Sequence, residues 1–313
     1  VKENKNLQGH LMAIITILIW GTTFISTKIL LRDFTPVTIL FIRFIIGYIA
    51  LFLFYPRALK LNDKKQEIIF ALAGLCGVTL YFLLENIALT YSFASNIGVI
   101  ISVAPFFTYL FANKLLRKEG LQKSFFIGFL LAMIGIAFIS FNGSSVFKLN
   151  PMGDFLGILA ALVWAVYSIL TKKLGEYGYN IVQTTRRIFF YGLVFMIPAV
   201  ILLPFNIEVG TLIKPINLLN LFYLGFGASA ICFVSWNWSI KVLGAVKTSV
   251  YIYLVPVITV ITSAFILKEQ ITWLSALGTL LTLMGLILSE RKQKKPKDET
   301  NLILFKQSKN SVS

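Results

Sequence analysis

Ten runs of roughly twenty apolar residues take up most of this 313-residue chain, and that feature restricts what it can fold into. They fall near 9–30, 36–55, 67–90, 93–115, 121–141, 152–174, 181–203, 217–242, 245–267 and 271–289. An α-helix needs about 20 residues to cross a hydrocarbon core of about 30 Å, where every backbone polar group must be satisfied within the segment. The pattern therefore predicts an all-α integral membrane protein of ten transmembrane helices. Barrel strands would be shorter and alternating, and no such segments occur. Composition agrees, with 57% hydrophobic and only 13% charged residues, far from a soluble domain. The breaks at 90–93 and 242–245 are short enough to demand tight helical hairpins. No small-residue cleavage motif follows the first run, which is long enough to span, so it is read as span 1.

The net charge of +16 raises the question of a nucleic-acid partner, and the distribution of charge answers it. With both termini on the cytoplasmic side, 23 of the 29 Lys and Arg lie on that face. Four lie opposite (Arg32, Lys148, Lys214, Lys268), and Lys28 and Arg43 fall within spans. This is the positive-inside asymmetry, which orients a multi-pass protein in the cytoplasmic (plasma) membrane and calls for no nucleic acid. Residues 1–8 then form a cytoplasmic N-terminus, and 291–313 a basic cytoplasmic tail that is either solvated or resting on anionic membrane lipid. Cys76 and Cys232 lie inside spans without a CxxC pattern and read as buried apolar side chains. No cofactor or metal is implied.

The second half repeats the first. "LIWGTTFISTKIL" (18–30) sits on "LVWAVYSILTKKL" (162–174) at an offset of 144, pairing Trp20 with Trp164, and Arg43 falls on Arg187. At an offset of 151, "SNIGVIISVAPFFT" matches "VKTSVYIYLVPVIT", Pro105 meets Pro256, Gly74 meets Gly225 and Asn86 meets Asn237. Gly128 and Gly135 likewise match Gly278 and Gly285. Each half, 9–145 and 146–290, has five spans. An odd number makes the halves cross the membrane in opposite directions, a 5+5 inverted repeat, the arrangement in which a binding site lies near the midplane between repeats.

With Trp20, Pro36 to Arg43 entering span 2, "ENIALTYSFASNIGVIISVAPFFT", the Lys118-Glu119 and Lys268-Glu269 turns and the glycine-spaced fifth and tenth spans, the chain resembles the drug/metabolite transporter superfamily, in particular its EamA-type ten-span members. The likeness covers about residues 10 to 290. It implies a secondary transporter working by alternating access, and a family that includes exporters of amino acids and other small metabolites. Import of an organic cation or another small metabolite by the same fold, or a channel, stays open. An enzyme is excluded in its familiar intramembrane forms, since His10 is the only histidine; no P-loop motif is present either. The expected partners are a small-molecule substrate, lipid and protons, with the chain acting as a monomer or homodimer.

Among the 13 acidic residues only Glu85, in "LYFLLENIALTY", lies well inside a span. A charge at that depth is costly and is usually paired or facing a pathway. At 1.5 Å per residue Glu85 lies about 7 or 8 Å below the outer edge and Arg43 about 10 Å, so they can meet. Two readings follow: Glu85 is the structural ion-pair partner of Arg43, with Lys28 competing, or it lines the pathway and exchanges protons or meets the substrate. Arg187 has no matching intramembrane acid in the second half. The remaining pathway candidates are Trp20, Tyr81, Asn86, Asn96, Trp164, Trp236, Asn237, Trp238, Tyr251 and Tyr253. Pro105 and Pro256 each free a carbonyl in mid-span and are candidate hinges. The glycines of "GLCG", "GFGASA" and the fifth and tenth spans read as helix-packing positions.

Overall fold

A computed structural model describes residues 2–92, 94–116, 123–140, 150–266 and 272–290. The Lys118-Glu119 and Lys268-Glu269 turns and the basic tail lie outside them. The regular structure of the described residues is all helical, joined by loops, and contains no strand. They form α1 (Lys2–Leu30), α2 (Pro36–Phe54), α3 (Gln66–Tyr91), α4 (94–116), α5 (Lys123–Ser140), α6 (Pro151–Glu176), α7 (Ile181–Leu202), α8 (Pro215–Leu243), α9 (245–266) and α10 (Trp273–Glu290). These helices coincide with the ten apolar runs. By length and composition seven can cross a membrane, and α5, α9 and α10 contain shorter apolar stretches. Residues 2–8 are helical and continuous with α1.

Local sequence sets the helix ends. Thr35, Asn150 and Asn180 cap α2, α6 and α7 by accepting from Thr38, Gly153 and Val182 backbone N–H groups, and Pro36, Pro151 and Pro215 occupy first-turn positions where no donor is lost. Gly244, at φ 95°, turns the chain between α8 and α9, which gives the second of the tight hairpins. Outside the spans, Asp33 in the α1–α2 loop accepts from Asn217 at 2.6 Å and pairs with Lys214 at 3.3 Å.

Two irregularities recur in both halves. Residues Leu75–Leu80 of α3 and Tyr223–Ile231 of α8 are wound as π-helix, and the 151-residue offset places the end of one on the end of the other. The α4 helix is interrupted at Ser102 and Val103, and α9 passes through a 3-10 turn at Val250–Tyr253. Each interruption lies just ahead of the matched prolines, where a missing N–H and a ring clash disturb the preceding turn.

Packing has the same exchange symmetry. Contacts of α1 with α8 mirror those of α3 with α6, and α2 against the π turn of α8 mirrors α7 against the π turn of α3. Likewise α1 with α9 mirrors α6 with α4, and α5 packs against α10. Glycines permit these approaches: a Cβ on Gly74 would lie 2.6 Å from the Ile188 carbonyl oxygen, and one on Gly285 would lie 2.5 Å from the Gly128 oxygen. Helix contacts this close need small residues.

Candidate functional site

At the junction of the two sets of helices the rings of Trp20 (α1), Trp164 (α6), Trp236 and Phe233 (α8) and Tyr81 (α3) form one aromatic assembly. The Trp20 centroid lies 5.3 Å from Trp164 and 5.0 Å from Trp236, and Trp164 lies 4.6 Å from Tyr81. Against it opens a cavity of about 40 Å³ lined by Trp20, Thr23, Phe24, Arg43, Tyr81, Phe82, Glu85, Gly98 and Trp164, together with Ile101, Ile252 and Val255. One water needs roughly 10–15 Å³ by this measure, so the space suits about three waters and is too small for a metabolite. The conformation is therefore contracted around its polar groups.

The cavity brings Glu85 and Arg43 together without an ion pair. Among the described residues the ion pairs are Arg187–Glu67 and Lys214–Asp33. Arg43 instead donates from Nε to Ser229 Oγ on α8 at 2.7 Å and lays its guanidinium over Phe82, 4.3 Å from the ring centroid. Glu85 is 5% exposed, and its Oε2 has no hydrogen-bond partner. Tyr81 stands one turn away on the same helix and interacts with the Glu85 carboxyl.

The other charged candidates are engaged elsewhere. Lys28 donates to the Leu89 carbonyl at 3.0 Å and to that of Ser92 at 3.4 Å, closing the C-terminus of α3, where a cation suits the free carbonyls. Arg187, without a matching acid in its own half, pairs with one from the other: its Nε donates to Glu67 Oε1 at 2.8 Å, with Tyr191 bonded to the same carboxylate. The repeat alignment hid this because Glu67 belongs to the other half, at the start of α3.

The amides tie helices together. Asn237 accepts from the Tyr167 hydroxyl at 2.7 Å and donates to Thr185 on α7 at 3.0 Å. Its repeat-mate Asn86 donates to the Pro36 carbonyl at 3.3 Å, so each links its helix to the second helix of its own half. Neither lines the cavity. Asn96 stands in α4, and its side chain lies outside the described residues. Trp236 backs the aromatic assembly and is fully buried. Tyr251 meets His10, Nδ1 to hydroxyl 2.6 Å, and Tyr253 packs with Tyr109 and Phe125, away from the cavity. Pro105 and Pro256 are both buried. Sequence reasoning missed Ser229, Phe82, Thr23 and Gly98. Small or apolar, they carry no chemical signal of their own, though Ser229 falls in the glycine-rich "GFGASA" stretch.

Apolar helices in two exchangeable sets around an inner cavity with a buried carboxylate define a multi-pass membrane protein. The sequence pattern of the EamA-like transporter family matches residues 7–141 and again 151–291, and the chain belongs to that family, within the drug/metabolite transporter superfamily. An uncharacterized transporter of Archaeoglobus fulgidus is 29% identical over 293 residues, which cover 92% of this chain and 99% of the relative. A "Probable terminal-alkyne amino-acid exporter" of Streptantibioticus cattleyicolor is 25% identical over 281 residues, covering 89% and 92%. A solved crystal structure superposes with a TM-score of 0.70 over 90% of this chain and 97% of its own, at 20% identity, a likeness of fold. The protein is a transporter rather than an enzyme.

Proposed function

We propose that the protein is a secondary carrier that exports amino acids or related small metabolites across the cytoplasmic membrane, with both termini cytoplasmic and Glu85 coupling transport to protons. The observation that carries this reading is the unpartnered, buried Oε2 of Glu85 on a cavity at the junction of the halves. A carboxylate so placed can exchange a proton or a cationic group as access alternates. The halves 9–145 and 146–290 act as the rocking units, with the helix interruptions ahead of Pro105 and Pro256 as their hinges. The name of the S. cattleyicolor relative supports amino acids as the first class to test.

The test is solute counterflow in proteoliposomes under an imposed pH gradient, screened over amino acids and organic cations. Uptake of an amino acid with a dependent proton movement is the expected result. Steady single-channel conductance, or uptake of organic cations alone, would replace this reading with a channel or a cation carrier.

A further inference from the structure

The polar groups of the cavity decide what it can hold, and this inference rests on the carrier reading above. Several are used within the protein: Arg43 Nε on Ser229, Thr23 Oγ1 on the Trp20 carbonyl at 2.8 Å, and the Trp20 indole N–H, which donates to the Ala228 carbonyl at 2.9 Å. Two buried atoms are not. Glu85 Oε2 and Trp164 Nε1 have no hydrogen-bond partner, although the residues are only 5% and 2% exposed and both line the cavity. A buried donor and a buried acceptor left unmade in residues that line one cavity are costly unless a ligand completes them.

The reason Trp164 is unpaired is local. The acceptor for Trp20 belongs to the π turn of α8, and the repeat offset places its mate at Gly77, in the π turn of α3. There the ring of Tyr167 covers the glycine, so closely that a Cβ would overlap it, and Trp164 makes no bond to that turn. The pseudo-symmetry is broken at one hydrogen bond, and it is broken on the cavity wall.

Charge narrows the ligand. The cavity holds one carboxyl group and one guanidinium, and burying an additional net charge is expensive. A ligand carrying both an ammonium and a carboxylate leaves the balance unchanged, whereas an amine or an acid alone does not.

We propose that the site binds the head group of a zwitterionic amino compound across the junction of the halves, the ammonium on Glu85 Oε2 and the carboxylate on the Trp164 indole N–H. Trp164 is then the specificity residue for the acceptor end, and Trp20, its repeat-mate, is not.

The experiment is calorimetric titration of the full chain in lipid nanodiscs with two sets of probes. One set is L-leucine, 3-methylbutylamine and 4-methylpentanoate; the other is L-phenylalanine, phenethylamine and 3-phenylpropanoate. Within each set the zwitterion is expected to bind about tenfold tighter, or more, than either singly charged relative. Trp164→Phe abolishes the preference over the amine, and Trp273→Phe, at an exposed tryptophan outside the cavity, keeps it. The wild-type order needs no variant, and size-exclusion and melting profiles confirm that both variants are folded. The proposal is overturned if an amine or acid matches its zwitterion in both sets, if all six probes fail to bind, or if Trp164→Phe retains the full preference. Binding in the expected order without uptake into proteoliposomes would sink the carrier reading alone; uptake confined to singly charged compounds would sink this assignment alone.

Discussion

Trp20 and Trp164, equivalent by the internal repeat, meet edge to face with ring planes at 78°, yet only Trp20 has a partner for its indole N–H. Replacing Trp20 with Phe removes the bond to the Ala228 carbonyl, a loss of about 1 kcal/mol. Replacing Trp164 with Phe removes a donor that has no acceptor and leaves stability nearly unchanged. Denaturant unfolding of the two variants in the same detergent checks the contrast.

The Arg187–Glu67 pair joins α7 of the second half to α3 of the first, with Tyr191 on the same carboxylate. The Leu59 carbonyl also accepts from Arg187, at 2.9 Å, so the α2–α3 loop is held too. Both charged side chains are about a quarter to a third exposed, 27% and 31%, so solvent and salt weaken the pair. Glu67→Gln is expected to cost about 1 kcal/mol at low salt and less in 1 M salt, read from melting temperatures.

Glycine substitutions separate packing from the site. A Cβ on Gly74 would lie 2.6 Å from the Ile188 oxygen and 2.7 Å from the Gly192 nitrogen, both backbone atoms that cannot swing away. Gly74→Ala should destabilise by about 1–3 kcal/mol. A Cβ on Gly98 would meet nothing within 4 Å, although Gly98 lines the cavity. Gly98→Ala should leave the melting temperature almost unmoved while weakening ligand affinity, as titration would show.

Much of this was legible in the sequence. Ten apolar runs and the offsets of 144 and 151 gave the helices and their pairing, because span length and small-residue spacing are local properties. Matching depths placed Glu85 and Arg43 on one cavity. The partners of Arg43 and Arg187 were not legible, since Ser229 and Glu67 each lie in the opposite half and their bonds depend on how the halves dock. The π turns also escaped, because their hydrogen-bond shift leaves hydropathy unchanged. Asn86 and Asn237 looked like pathway amides, but both serve as struts to a neighbouring helix.

At the opposite end of the bundle from the Arg187 pair, Asp33 is held below its ordinary carboxylate value of 3.8, first by the hydrogen bond from Asn217 and then by Lys214. A depressed value means that the contribution of this link is fully present above the ordinary value and is lost as pH falls through the lower one. Melting temperatures from about pH 5 down to about pH 2 should therefore fall less steeply in Asp33→Asn than in wild type. Identical slopes would show that the link contributes nothing to the pH dependence.

The central claim is that Glu85 is the working carboxylate of a carrier. Substrate-driven proton movement in proteoliposomes, measured for wild type beside Glu85→Gln at equal amounts of folded protein, tests it most directly. The account predicts a current in wild type that the variant loses. Equal currents with the same pH dependence would contradict it and leave Glu85 a structural group beside Arg43.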